Sequence, residues 1–448
     1  MDSLILDNKN GMKAFTLVWF GQLISLMGTA MTKFALMVWA YEQTGKASTT
    51  ALLGFFAVLP AVIFGAFSGV AVDKFSKKKL LIYSDICFIA SGFIMLALYS
   101  SGTLRIWHLY AVEALSGFLG SLTGPAFTSA ITLMIPKDKY SRASGMRSFS
   151  NYASQIFAPV LGGFLVLQIG FKGVMIVDIV TFLASIGAVA AVRIPQMRSR
   201  KAEKEKNLSE DVKLGFRYIL ERRGLFELLI IFTAVNFLAG LTYFGILPAM
   251  ILARTGGDKM VLAGVQAALG LGGVIGSIVI SVWKGPKKQI NMILIATALS
   301  FLIGDTFLAS NAGKYVWYGA AFVSSFFIPI LVAGQTTIWQ SKVEPSVQGR
   351  VFSIKGICQE GLAPLGYIMG GFLADYFFEP VMSGHGTLNR LFGWYVGTEN
   401  GSGMAFMFLC SGVIGTVICL SGYLLKSLRK VESDLPDFDE QLPEAEEA

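Results

Sequence analysis

Twelve apolar runs alternate along this chain with short polar connections. A helix that crosses a bilayer needs about 20 predominantly apolar residues. The pattern predicts such helices over 14–41, 49–72, 80–101, 106–134, 143–168, 172–193, 225–253, 260–283, 289–310, 315–341, 350–377 and 403–426. The predicted fold class is an all-α membrane protein of 12 transmembrane helices in two pseudo-symmetric six-helix bundles. The long polar interruption 194–223 separates six runs from six. It divides the chain into an N-terminal bundle (1–193), a cytoplasmic linker (194–223), a C-terminal bundle (224–430) and an acidic cytoplasmic tail (431–448), the last expected to be disordered.

Charge adds orientation. Only 15% of the 448 residues are charged, against about 25% in soluble domains. The net charge of +8 is concentrated on alternate connections. One reads Asp73-Lys74-Phe75-Ser76-Lys77-Lys78-Lys79. The others carry Lys137, Lys139 and Arg142, then the basic stretch 193–223, then Lys284, Lys287 and Lys288, then Lys342 and Arg350. The intervening connections hold one or two basic residues each. Excess lysine and arginine marks cytoplasmic loops, so both termini are expected in the cytoplasm of a multi-pass protein of the cell membrane, of bacterial inner or plasma type. That distribution, and not a nucleic-acid partner, accounts for the net charge. The first run is too long for a signal peptide and lacks a small-residue cleavage site.

Chemistry by covalent catalysis finds no support. The two histidines, His108 and His385, have no partner at a recognisable spacing, and GxSxG, HExxH and P-loop patterns do not occur. The four cysteines all lie within the runs and read as small packing residues. No cofactor or metal is implied, and the chain is expected to act as a monomer.

The halves echo each other. Gly-Val-Ala-Val-Asp-Lys-Phe-Ser-Lys-Lys after the second run has a worn counterpart, Val-Ile-Ser-Val-Trp-Lys-Gly-Pro-Lys-Lys, after the eighth. Ala158-Pro159-Val160-Leu161-Gly162-Gly163 is echoed by Ala363-Pro364 and Gly370-Gly371. Duplicated halves suit a transporter that rocks one half against the other about a central site. Glycines one turn apart at Gly65/Gly69, Gly120/Gly124, Gly272/Gly276 and Gly366/Gly370 let helix backbones approach closely.

Ionisable groups inside apolar helices are costly and therefore candidates for function. Lys33 lies about six residues past the middle of a run directed outward, and Glu113 about six before the middle of one directed inward, so both sit at a similar depth. Glu360 falls near the midpoint of the eleventh run. Gln22, Ser25, Thr29, Thr32 and Lys33 share a stripe of roughly 100° on the first helix, facing either a water-filled cavity or other helices. Tyr152, Asn236, Tyr243, Gln335, Thr336 and Gln340 are further candidates to line a substrate cavity. Asp85, Asp178, Asp305 and Asp375 fall near span ends. Trp39, Trp107, Trp283, Trp317 and Trp339 sit where interfacial anchors are expected.

Gly69-x3-Asp73-Lys74-x-Ser76-Lys77-Lys78 resembles the first-loop signature of the major facilitator superfamily, with serine where glycine is usual. Ser154-x3-Ala158-Pro159-x2-Gly162-Gly163 is similar to the fifth-helix signature of that family's antiporters, with two glycines replaced by small residues. Trp19-Phe20-Gly21-Gln22-Leu23-Ile24-Ser25, Gly124-Pro125-Ala126-Phe127, Ile338-Trp339-Gln340-Ser341-Lys342-Val343 and Gln348-Gly349-Arg350-Val351-Phe352 resemble the drug-antiporter branch that includes macrolide exporters and lysophospholipid transporters. The resemblance implies that Gly69, Asp73, Lys74, Lys77 and Lys78 form a cytoplasmic gate, joined by Arg142 and Arg350. The competing reading of the lysines is topological. It also implies that the first and fourth helices line one cavity, so Lys33 is expected to pair with Glu113. Glu113 stands where proton-coupled members usually carry arginine, ahead of Gly117. Peripheral placement of the sixth and ninth helices implies structural roles for Asp178 and Asp305. The function expected is export of amphipathic or apolar small molecules by alternating access, coupled to protons at Glu113, Lys33 or Glu360. The alternative is flipping of a lipid or lysophospholipid.

Overall fold

The computed structural model describes residues 8–136, 139–192, 208–283, 286, 288–344, 347–383 and 387–435. They form two compact units, Met1–Ala202 with Gly257–Ala267 and Glu203–Gly256 with Ala268–Ala448. Among the described residues, nine helices are long and apolar enough to cross a membrane. Their outward faces are greasy. Only 28% of the most apolar window of the helix Lys77–Ser100 is buried, and Phe93 and Ile94 on it stand more than half exposed. In water this would be an aggregation surface; in lipid it is the expected exterior.

The first unit is built from α1 (Asn8–Thr44), α2 (Ala47–Lys74), α3 (Lys77–Ser100), α4 (Ile106–Met134) and α5 (Tyr140–Ala191). The two runs predicted at 143–168 and 172–193 form one helical stretch of 52 residues, broken at Gly170. Its backbone there has φ +68° and ψ 179°, a conformation open to glycine and costly for a residue with a Cβ. The chain therefore turns without a loop. α1 packs along α5, and α2 along α4. Gly117 lets α4 meet α2: a Cβ there would lie 2.1 Å from the Ala57 carbonyl oxygen. Lys78 closes the far end of α5. Its Nζ donates to the carbonyls of Ala190 (2.8 Å) and Val192 (2.7 Å), two of the acceptors that a helix C-terminus leaves open.

The second unit contains α6 (Leu208–Glu221), α7 (Arg223–Ala239), α8 (Leu247–Arg254), α9 (Lys259–Val282, whose first turns cluster with the other unit), α10 (Gln289–Leu299), α11 (Thr306–Ala309), α12 (Lys314–Lys342), α13 (Gln348–Gly361), α14 (Ala363–Leu373), α15 (Glu379–Ser383), α16 (Thr387–Val396), α17 (Ser402–Ser421), α18 (Lys426–Arg429) and α19 (Val431–Asp434). The runs predicted as single helices at 225–253, 289–310 and 350–377 each contain a π-helical turn, at Gly240–Phe244, Ser300–Asp305 and Ala374–Phe378.

Several expectations change. The linker expected over 194–223 carries α6, packed on α13 through Gly215, whose Cβ would lie 2.9 Å from the Arg350 carbonyl oxygen. Residues 194–207 lie outside the described residues. The tail is folded at its start: Val431 is buried, and the Glu432 carboxylate accepts from the first backbone amides of α10, Gln289 (2.9 Å) and Ile290 (3.0 Å). A carboxylate at a helix N-terminus is favoured by the unpaired amides and the helix dipole. Lys342 completes this corner by donating to the carbonyls of Glu432 and Leu435. Trp317 and Trp339, expected as interfacial anchors, are buried at 4% and 1% exposure and serve the core. The glycine pairs divide. Cβ atoms at Gly272 and Gly276 would meet the carbonyl oxygens of Phe322 and Phe326 on α12 at 2.2 and 2.1 Å, whereas those at Gly65, Gly120 and Gly124 meet nothing within 4 Å.

Gly272→Val is expected to destabilise the protein by about 1–3 kcal/mol through overpacking, and Gly120→Val by far less. Thermal unfolding in detergent checks the pair; equal midpoints would contradict the close approach.

Candidate functional site

The polar face of α1 lies against the part of α5 that follows Gly170. Gly28 makes this possible, because a Cβ there would fall 2.2 Å from Thr181 Oγ1 and 2.9 Å from Asp178 Oδ1. Along the seam, polar groups satisfy one another. Gln22 Nε2 donates to Ser185 Oγ (2.7 Å), and Ser185 Oγ donates to Asp85 Oδ2 on α3 (2.8 Å). Further along, Thr29 Oγ1 makes a long 3.5 Å contact with Asp178 Oδ1.

At the next turn Lys33 Nζ stands 3.1 Å from Glu113 Oε2 on α4. The contact is an ion pair, and Glu113 Oε2 is buried without a hydrogen-bond partner. The two partners differ in environment: 44% of the Lys33 side chain is exposed, against 7% for Glu113. A carboxylate buried to that degree requires a nearby cation or a proton, and Lys33 supplies the former. The pairing expected from similar depth, together with the resemblance that places the two helices on one cavity, is present.

A cavity joins these groups. Its polar lining includes Thr29, Thr32, Lys33, Ser91, Glu113, Ser116 and Asp178, and its greasy walls include Leu36, Phe88, Met95, Met175 and Phe182. It holds about 40 Å³ of water-accessible space. That suffices for water, which needs roughly 10–15 Å³ by this measure, and is far below the roughly 300–1,000 Å³ of a drug-sized pocket. In this conformation the arrangement is an ionic centre walled by apolar side chains, suited to exchanging protons, water or an ion-pair partner.

Other candidates fall elsewhere. Gln22 and Ser25 belong to the helix seam and not to the cavity lining. Tyr152 is half-buried on α5. Ala158 is fully buried, Pro159 and Gly163 are buried beside it, and a Cβ at Gly162 would lie 3.2 Å from the Met31 backbone of α1. In the second unit Asn236 Nδ2 donates to the Gln359 carbonyl (3.2 Å), Gln335 is buried with its amide nitrogen unpartnered, Thr336 is half-buried and Gln340 exposed. Glu360 is exposed, so the burial on which its candidacy rested is absent. Arg142 is exposed and borders a groove with Met12, Lys13, Thr16, Leu17 and Phe20. Arg350 is half-buried on α13. Of the loop signature, Lys77 is half-buried and Lys78 caps α5, while the side chains of Gly69, Asp73 and Lys74 lie outside the described residues.

Three carboxylates given minor roles by their positions prove to be embedded. Asp85 is 5% exposed and Asp305 1% exposed. Asp178 reaches the cavity itself. The sequence signal was the cost of any acid inside an apolar helix; peripheral placement of those helices argued against it.

Comparison with known proteins follows the same lines. Residues 18–367 match the family model described as Major Facilitator Superfamily. Macrolide efflux protein A of Streptococcus pyogenes is 24% identical over 365 residues, 81% of this chain and 89% of that protein. Multidrug efflux pump Tap of Mycolicibacterium fortuitum is 22% identical over 371 residues, 80% of this chain and 88% of that one. Among solved structures, a bacterial homolog of the human lysosomal transporter Spinster, inward-facing and unoccupied, superposes with a TM-score of 0.63 at 15% identity, covering 93% of this chain and 97% of that one.

Lys33→Met strands a buried carboxylate. Its expected cost is about 2 kcal/mol, below the roughly 3–5 kcal/mol of a fully buried pair because Lys33 is half-exposed. Adding Glu113→Gln should restore much of the loss. Strictly additive effects in a thermal double-mutant cycle would argue against the pair.

Proposed function

We propose that this chain, which belongs to the major facilitator superfamily, is a secondary transporter exporting amphipathic or apolar small molecules by alternating access, with protons as counter-ion. Membership of that family makes it a transporter of the membrane and not an enzyme. Export is supported by relatives named for macrolide and multidrug efflux. Twelve crossings fit this reading, with the break at Gly170 separating the fifth from the sixth. Cytoplasmic termini follow from the basic loops.

The observation that carries the coupling is the Lys33–Glu113 pair beside Asp178 in an apolar-walled cavity. A proton arriving on Glu113 cancels the charge that holds Lys33. The freed ammonium then turns to water, to Asp178 or to a substrate acceptor. Deprotonation reverses the exchange. A ligand biases such a cycle only through unequal affinity for its two states, and a buried ion pair that forms in one state and opens in the other provides that inequality. The narrow cavity must widen to admit cargo, and its aromatic and aliphatic walls favour greasy molecules over sugars or ions.

Proteoliposomes test the assignment with two cargoes, a fluorescent apolar cation and a labelled lysophospholipid, with and without an imposed pH gradient. Gradient-dependent movement of the cation is the expected result. Lipid movement indifferent to the gradient, with no cation movement, would overturn proton-coupled export in favour of a flippase.

A further inference from the structure

Asp305 belongs to the second unit and is 1% exposed. Its Oδ1 accepts a 2.6 Å hydrogen bond from the Tyr243 phenol. The Ser324 hydroxyl lies 2.8 Å from the same phenol oxygen. A phenol has one proton, which here goes to the carboxylate, so Ser324 donates to the phenol. Ser300 in turn donates to the Ser324 carbonyl (2.8 Å). Oδ2 is buried, and the Ser411 hydroxyl, itself 2% exposed, faces the same carboxylate.

No lysine, arginine or histidine among the described residues forms an ion pair with Asp305. The groups facing it are Tyr243 from the turn after α7 and Ser411 from α17, with Ser324 from α12 behind the Tyr243 phenol. α17 is held against the site by Gly412, whose Cβ would lie 3.1 Å from Asp305 Cβ. An isolated carboxylate charge in so dry a place costs many kcal/mol unless a positive charge or a proton accompanies it. The local backbone is also unusual. Asp305 ends one π-helical turn, Ser300–Asp305, and Tyr243 lies in another, Gly240–Phe244. π-helical turns are rare and recur at functional sites.

We propose that Asp305, Tyr243, Ser324 and Ser411 form a second ion site, which holds one monovalent cation: a proton or a sodium ion. The chemistry sets the class. One carboxylate with neutral hydroxyls balances a single positive charge, and an all-oxygen lining suits a hard cation. The buried carboxylate and the Ser411 hydroxyl that faces it supply oxygen acceptors for it. Binding at this site stands independently of the export reading; any coupling of it to cargo rests on that reading.

Infrared difference spectroscopy on the purified full chain, at rest and without cargo, separates the two ions. In one arm sodium replaces potassium at fixed pH; in the other pH is stepped in potassium. Sodium binding is expected to move a carboxylate band, and proton binding to raise a carboxylic-acid band. Either signal should vanish in Asp305→Asn. In Tyr243→Phe it should persist with its midpoint displaced about tenfold or more in ion concentration, as loss of a hydrogen bond to a charged group implies. If Asp305→Asn does not fold, the Tyr243→Phe displacement decides. The absence of any sodium- or pH-dependent carboxyl band sensitive to these substitutions would overturn the site, whether or not the protein exports anything.

Discussion

Charge inside apolar helices is the constraint on which this molecule is organised. Each buried carboxylate must find a cation, a proton or hydrogen-bond donors, because lipid offers none. The first unit meets the demand by converging α1, α3, α4 and α5. Glu113 takes Lys33, and Asp85 takes Ser185, which Gln22 supports from behind. These polar contacts fix which faces of four otherwise greasy helices meet. A cavity between them then has both a charge that can be exchanged and walls that repel water.

Close helix contact is the complementary requirement. Gly28, Gly117 and Gly162 bring α1, α2, α4 and α5 to backbone distance, where a side chain would collide with a neighbour's carbonyl, hydroxyl or Cα. In the second unit Gly272 and Gly276 do the same between α9 and α12. Side chains also tie down helix ends. Lys78 satisfies the carbonyls ending α5, and Glu432 the amides opening α10. Apolar packing alone gives little preference for one helix neighbour over another in lipid; polar contacts and close approaches supply it.

Much of this was legible in the order of residues. Apolar runs of bilayer length predicted the helical segments, and similar depth, with the resemblance that puts the first and fourth helices on one cavity, predicted that Lys33 meets Glu113. The polar stripe of α1 was legible as an inward face, but its occupants were not: Gln22 meets Ser185, 163 positions away, instead of a cavity. Asp305 was harder still. Its partner Tyr243 is 62 positions distant, and both reside in π-helical turns that shift side chains off the regular helical period. Glu360 shows the opposite limit: a central position in a run says nothing of which way a side chain points, and its side chain is exposed. An acidic composition predicts a disordered tail from 431, but it does not show that Glu432 caps a helix far away in sequence.

The central claim is that Glu113 carries the proton whose arrival and departure open and close its pair with Lys33. Gradient-driven uptake of a fluorescent apolar cation into inverted vesicles, compared between wild type and Glu113→Gln across a range of pH, addresses it most directly. The account requires that the substituted protein still fold and bind cargo but lose the dependence of uptake on the pH gradient. Uptake in Glu113→Gln with the same gradient dependence and the same pH profile as wild type would contradict it and reduce the pair to a structural contact.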